Sequence, residues 1–183
     1  MPANETDILK LIANPNTQRK GFELAVERYG ESLYRQIRRI VLTHDDANDV
    51  LQNTFIKAWL GLNSFQGRSR LSSWLYRIAI NEALDFKRRK QEELSLTSNE
   101  GNESPVVKRL IADEYFDGDH TSALLQEAIH QLPSVQRTVF QLKYFENKKY
   151  SEISEILGTT EGALKASYHI AVNKITEFFK KTD

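Results

Sequence analysis

The segment Arg70 to Lys90, RLSSWLYRIAINEALDFKRRK, repeats its apolar residues at helical intervals and carries two faces that demand different surroundings. At about 100° per residue, Leu71, Leu75, Ile78 and Phe86 fall on one side, while Arg70, Arg77, Asn81 and Arg88 gather within roughly 20° of one direction. Trp74 lies on the border between them. Such a helix must bury its apolar face in a domain, and it can offer the other, cationic and ring-edged, to a polyanion with exposed bases. From these residues alone two readings stand: a surface helix with solvated arginines and a structural Trp74, or a grip for single-stranded nucleic acid.

The residues before it supply the partners for burial. Phe22, Ala25, Val26 and Tyr29 lead at helical spacing into Leu33, Tyr34, Ile37 and Val41, and the pattern resumes after a polar break at Thr43 to Asp46. Val50, Leu51, Phe55, Ile56, Trp59 and Leu60 form a further amphipathic segment whose start Asp45 or Asp46 can cap. Asn63 to Ser69 is a short loop, and sustained strand-like alternation is missing from the sequence. The first ninety residues read as a compact all-α unit.

The chain has 25 Lys and Arg against 25 Asp and Glu, a neutrality that argues against a nucleic-acid binder until it is divided by segment. Residues 1–90 carry 15 basic against 10 acidic side chains, residues 91–122 carry 2 against 8, and the remainder 8 against 7. A basic first module is thus followed by an acidic connector. Residues 91–121, rich in Ser, Asn and Gly with one apolar patch at Val106 to Ile111, read as a linker that is flexible at least through Pro105. The 40% apolar content is that of a globular chain. The lack of cysteine excludes a disulfide framework and thiolate metal sites. The start has no signal-peptide pattern and no stretch reaches bilayer-spanning length, so a cytoplasmic location is expected.

A second helical module begins near Ser122 with Leu124, Leu125, Ala128, Ile129 and Leu132. Pro133 opens a new helix, and the spacing resumes at Val135, Val139, Phe140 and Leu142. Ile153, Ile156 and Leu157 make a short helix that Gly158 can end in a left-handed conformation. Thr160 can cap a longer one that turns Leu164, Tyr168, Ala171, Ile175 and Phe178 inward. Short helix, tight turn and long helix form a helix-turn-helix pattern, shared with plain helical hairpins.

With both segments in view, the chain resembles bacterial sigma factors of the sigma-70 family, specifically the extracytoplasmic function (ECF) group. Three motifs carry the resemblance: DDANDVLQNTFIKAWLGLNSF at Asp45 to Phe65, FQGRSRLSSWLYRIAINEALDFKRR at Phe65 to Arg89, and LPSVQRTVFQLKYFENKKYSEISEILGTTEGALKASYHIAVNKI at Leu132 to Ile175. It implies an all-α chain of two small helical domains: residues 1–90 as sigma region two, residues 91–121 as a flexible acidic linker, and residues 122–183 as a region-four helix-turn-helix domain. The implied partners are core RNA polymerase, met by Asp46, Asp49, Gln52, Asn53 and Lys57, and promoter DNA. The implied contacts to the single-stranded −10 element are Arg68, Arg70, Trp74, Arg77, Asn81 and Arg88. Those to the duplex −35 element are Arg137, Thr159, Thr160, Lys165, Ser167 and His169. An anti-sigma factor is a further implied partner, with no cofactor and no stable membrane insertion. The last helix departs from the commoner family pattern in carrying Ser167, Ile170 and Val172 where arginines are frequent, which implies a weaker phosphate grip.

Enzymatic readings find little in the residues: there is no phosphate-cradling Gly loop with Lys and no nucleophile turn. The Glu127 to His130 spacing lacks the second copy that a di-iron bundle needs, and Asp117 to His120 lacks EF-hand spacing. The competing reading is a stand-alone helix-turn-helix regulator behind an unrelated sensory domain, which would have no use for Trp74 beside a cationic stripe.

Overall fold

The computed structural model describes residues 4–95, 105–113 and 118–182, and among them every regular element is a helix. Helix α1 (Glu5–Ala13) starts at Asn4, whose side chain accepts from the Asp7 amide at 2.8 Å. Helices α2 (Gln18–Val41), α3 (His44–Gly61) and α4 (Leu71–Ser95) form the body of the first module, with a 3₁₀ turn at Leu62–Ser64. The cap of α3 is Thr43, not Asp45 or Asp46. The Thr43 hydroxyl accepts the Asp46 amide at 3.4 Å, and both carboxylates sit in the first turn, where they complement the helix dipole.

Small side chains let these helices approach. Ala25, Ala47, Ala58, Ala79 and Ala83 are fully buried where α2, α3 and α4 meet, and Leu33, Ile37, Ile40, Leu71 and Leu75 fill the space between them. Gly21 performs the same service for α1: a Cβ there would stand 2.8 Å from the Ile12 nitrogen and 2.9 Å from the Leu11 Cβ. Helix α1 in turn secures α4, since Glu5 accepts the Leu71 amide at 2.9 Å with one oxygen and the Tyr29 hydroxyl at 2.6 Å with the other. Burial, then the neighbouring Glu5 carboxylate, raises the Tyr29 phenol well above its ordinary range.

Part of the expected linker is ordered. Helix α4 continues to Ser95, and Val106 to Ile111 lie on a helix of their own, α5 (Pro105–Ala112). Leu110 of α5 and Ala123 of α6 (His120–His130) enclose Leu42, which ends α2 at φ 75°. A left-handed leucine costs about 1 kcal/mol or more, and burying its side chain offsets that cost. Asp113 locks the same corner, accepting from Arg38 Nη2 at 2.9 Å and the His44 amide at 3.1 Å. The expected flexibility at 96–104 falls outside the described residues.

The second module contains α6, α7 (Ser134–Tyr144), α8 (Tyr150–Leu157) and α9 (Glu161–Thr182). Gly158 ends α8 at φ 66°, as its place in the sequence predicts, and Thr160 accepts the Ala163 amide at 3.3 Å to start α9. Ala128, Ile129, Leu132, Phe140, Ala171 and Ile175 form this module's own core. Val139, Leu142, Ile153, Ile156 and Leu164, however, are continuous with the core of the first module. The two modules are packed together along α2 and α4.

Replacing Gly21 by Ala should destabilise the chain by about 1–3 kcal/mol despite the better helix propensity of Ala, because the added methyl meets α1 backbone. Urea unfolding should show a lower midpoint; an unchanged or higher one would mean that α1 is not seated against α2 as described.

Candidate nucleic-acid and polymerase interface

The stripe expected on α4 is present and is divided. Arg70 is half exposed and faces α8, with Nη1 3.1 Å from a Glu152 oxygen and Nε 3.8 Å from one of Glu155. Arg77 donates Nε to the Ile156 carbonyl at 3.0 Å and Nη2 to the Glu155 carbonyl at 2.5 Å. Those carbonyls belong to the last turn of α8, where no intrahelical donor reaches them. Asn81 and Arg88, one and three turns further on, are exposed, and Arg88 pairs with Asp85 on its own helix at 3.2 Å. Arg68 is exposed on the loop before α4, beside Gly67 at φ 66°. Trp74 is half buried against Phe65, ring centroids 5.0 Å apart, and lies over Gly61.

Helix α3 presents the residues assigned to polymerase. At about 100° per residue, Asp49, Gln52, Asn53, Ile56 and Leu60 occupy an arc of roughly 100°, opposite the buried Ala47, Val50, Thr54 and Ala58. Ile56 is 51% and Leu60 76% exposed, with Trp59 at 41% on the flank against Phe22. The polar members of this face are the expected polymerase contacts, while Ile56, Trp59 and Leu60 read in the sequence only as part of an amphipathic segment. The signal was available, because Val50, Leu51, Phe55, Ile56, Ala58, Trp59 and Leu60 together span too wide an arc to be buried on one side. Asp49, Gln52 and Asn53 also line a cleft of about 420 Å³ with Phe86, Arg89 and Lys90 of α4. Asp46 is held by Lys90 at 2.5 Å, and Lys57 is paired with the buried Glu82.

On α9, Lys165 and His169 are exposed, Ser167 is half buried, and Thr159 and Thr160 form the turn that leads in. The His169 ring lies 3.2 Å from the Asn173 amide, and Lys165 sits 5.7 Å from the centroid of the Tyr150 ring. Arg137 is elsewhere. Its guanidinium donates to the carbonyls of Ile129, His130 and Leu132 at 3.3, 2.7 and 2.7 Å, closing the C-terminus of α6. The structure therefore does not bring Arg137 to the face of α9, and its work is to fix the α6–α7 corner.

His130 sits in this corner with neither ring nitrogen hydrogen-bonded. Burial first, then the Lys87 and Arg137 charges, lowers its pKa to about 3. Asp119, the other member of a noted spacing, caps α6 by accepting the Ser122 amide at 2.8 Å. Among the described residues no three His, Cys, Asp or Glu side chains gather in a metal-holding group.

These two modules match two family models, "Sigma-70 region 2" over residues 25–93 and "Sigma-70, region 4" over residues 122–175. The class is that of two-module bacterial transcription initiation factors. The chain belongs to the sigma-70 family, in its ECF group. It is similar to the ECF RNA polymerase sigma factor SigW of Bacillus subtilis, 32% identical over 151 residues that cover 79% of this chain and 81% of the relative. It is also similar to the RNA polymerase sigma-H factor of Pseudomonas aeruginosa, 29% identical over 81% of this chain and 80% of that one. Among solved structures, CnrH in complex with the cytosolic domain of CnrY superposes with a TM-score of 0.69 at 19% identity, covering 96% of each chain. The sigma factor RpoE in complex with the anti-sigma factor NepR from Bartonella quintana gives 0.66 at 24% identity, covering 88% of this chain and 98% of that one. Sigma factors of this family are not enzymes, and the first module is a sigma region two rather than a sensory domain.

The buried His130 sets a pH dependence. Its folded pKa lies below the ordinary 6.5, so its contribution is undiminished above pH 6.5 and is lost as pH falls toward 3. Between pH 7 and 5 the loss is up to about 2 kcal/mol. His130→Phe should flatten the stability profile over that interval in denaturant titrations; an equal slope in both proteins would place a charged histidine in the fold.

Proposed function

We propose that residues 1–90 bind core polymerase and the −10 strand, that residues 91–121 connect, and that residues 122–183 read the −35 duplex. The observation that carries this reading is the pairing, on adjacent helices, of an uncovered polar-apolar face on α3 with the cationic stripe of α4. An exposed face holding Ile56 and Leu60 among Asp49, Gln52 and Asn53 has the make-up of a docking surface, with an apolar centre and a polar edge. Arg68, Arg70, Arg77, Asn81 and Arg88 supply cationic and amide donors to a backbone and to unpaired base edges, with Trp74 and Phe65 as the ring wall beside them. Asp46 and Lys57 support this surface through Lys90 and Glu82.

Opening of DNA then follows from differential binding. A base taken from the duplex costs a few kcal/mol in lost stacking and pairing, and contacts made only to the unpaired strand return it. The duplex reader, with Lys165 and His169 among the exposed polar side chains of α9, holds phosphates weakly, so its register depends on the polymerase that carries it. A cytoplasmic location is the proposal that fits these partners; no helix among the described residues is long and apolar enough to cross a membrane. The reading includes an anti-sigma factor as a third partner, by analogy with the relative from Bartonella quintana that is bound to one.

Leu60→Asp tests the α3 face. Leu60 is 76% exposed, so folding is unaffected, while a carboxylate at the centre of a docking face should weaken core polymerase binding roughly tenfold. Unchanged affinity in a pull-down with core polymerase would remove this face from the interaction. Lys57→Glu also lowers binding but sets two carboxylates beside each other at Glu82, so its fold must be checked in parallel. Replacing Arg77 and Arg88 together by Ala should reduce promoter opening roughly tenfold, about 1.4 kcal/mol, and closed-complex formation much less. Permanganate reactivity at matched occupancy reads this directly, and equal opening would contradict the role given to α4.

A further inference from the structure

We propose that Glu5 is a positioning residue for strand capture: from α1 it holds the start of α4, and with it the loop Phe65 to Arg70 that carries Arg68 and leads to Trp74. The inference rests on the reading of that loop and α4 as the strand-binding surface. Helix α4 begins at Leu71, so the residue at its cap position is Arg70, whose side chain has no acceptor to give to the amides of the first turn. Glu5 supplies one from 66 positions earlier in the chain, accepting the Leu71 amide at 2.9 Å. Its other oxygen accepts the Tyr29 hydroxyl at 2.6 Å, and the Tyr29 ring is buried in the core, so the carboxylate is aimed from behind. A negative group at this end of α4 also complements the helix dipole. Glu155 adds a weaker contact, 3.5 Å from the Arg70 amide.

The middle of the loop has little around it. Gln66, Gly67 and Arg68 are exposed, and Gly67 takes a left-handed φ of 66° with open space beside it. The two ends are held instead by the α1–α2 corner: Asn63 accepts from the Gln18 amide at 3.1 Å before the loop, and Glu5 takes Leu71 after it. The Gln18 bond is exposed and joins two neutral groups, so the charged Glu5 is the stronger tie. A loop fixed in this way meets an unpaired strand already ordered. Without the tie, the cost of ordering it is subtracted from the contacts that offset base unstacking. Helix α1 itself is seated by Ile8, Ile12 and the close approach at Gly21, none of which involves Glu5. Docking of α1 and its hold on the loop are therefore separable by mutation.

The test uses the full chain with core polymerase and a promoter that the parent selects from a randomised template library, with opening read by permanganate at matched occupancy. Glu5→Ala should lower opening about fivefold and leave a core polymerase pull-down and the closed complex unchanged. Glu5→Gln, which keeps an acceptor for the Leu71 amide, should restore most of the loss. Asn4→Ala removes the cap of α1 and lowers the urea midpoint without touching the loop, and it should open the promoter like the parent. Arg68→Ala should itself lower opening. Adding Glu5→Ala to it should cost less than about twofold more, because a residue that acts through the loop loses its effect once the cation it positions is gone. Should Glu5→Ala not fold, Tyr29→Phe carries the test, since it keeps the ring and releases the carboxylate; opening should fall about twofold. Parental opening by the variant that carries the test, an equal loss in Asn4→Ala, or full additivity with Arg68→Ala overturns the positioning role and leaves the sigma reading in place. Parental opening by Arg68→Ala removes the loop from strand capture and the role of Glu5 with it. A parent chain that selects no promoter overturns the functional reading and this inference together.

Discussion

One helix carries two incompatible requirements, and the rest of the molecule is arranged to meet both. Helix α4 must bury Leu71, Leu75, Ala79 and Ala83 against α2 and α3, and the opposite side of the same turns carries Arg70, Arg77, Asn81 and Arg88. A helix cannot rotate to favour one face without exposing the other, so the position of the stripe is set by the packing of the core. Glu5 fixes where α4 begins, Gly21 fixes how closely α1 can lie, and the Lys57–Glu82 and Lys90–Asp46 pairs fix α3 beside it. The exposed face of α3 and the stripe of α4 are thus held in register by one core.

Much of this was legible in the chain. The periodicity from Phe22 to Val41, the two faces of Arg70 to Lys90, the Gly158 turn and the Thr160 cap all follow from local chemistry, and local chemistry decides them in the fold. What was not legible depends on tertiary partners. The Asp113 carboxylate reaches Arg38 and the His44 amide across some seventy residues of sequence, and no spacing rule announces such a contact. The family resemblance implies Arg137 as a contact to the −35 duplex, yet three backbone carbonyls of the α6 terminus claim it. The exposed Ile56 and Leu60 were hidden by the assumption that apolar residues belong inside; an over-wide apolar arc is the mark of a helix with two partners.

The packing of the modules gives individual acidic side chains of the middle and last segments a physical role. Charge that looks neutral over the whole chain is distributed so that acidic groups, Asp113, Glu146, Glu152 and Glu155, lie on the basic helices α2 and α4.

The central claim is that this chain selects where transcription starts. Purified protein added to core RNA polymerase on a randomised promoter library, with the 5′ ends of the transcripts sequenced, measures it directly. The account predicts transcripts enriched for templates that share two upstream sequence blocks, one at −35 and one at −10, with defined start sites downstream. Start sites indistinguishable from those of core polymerase alone would contradict it.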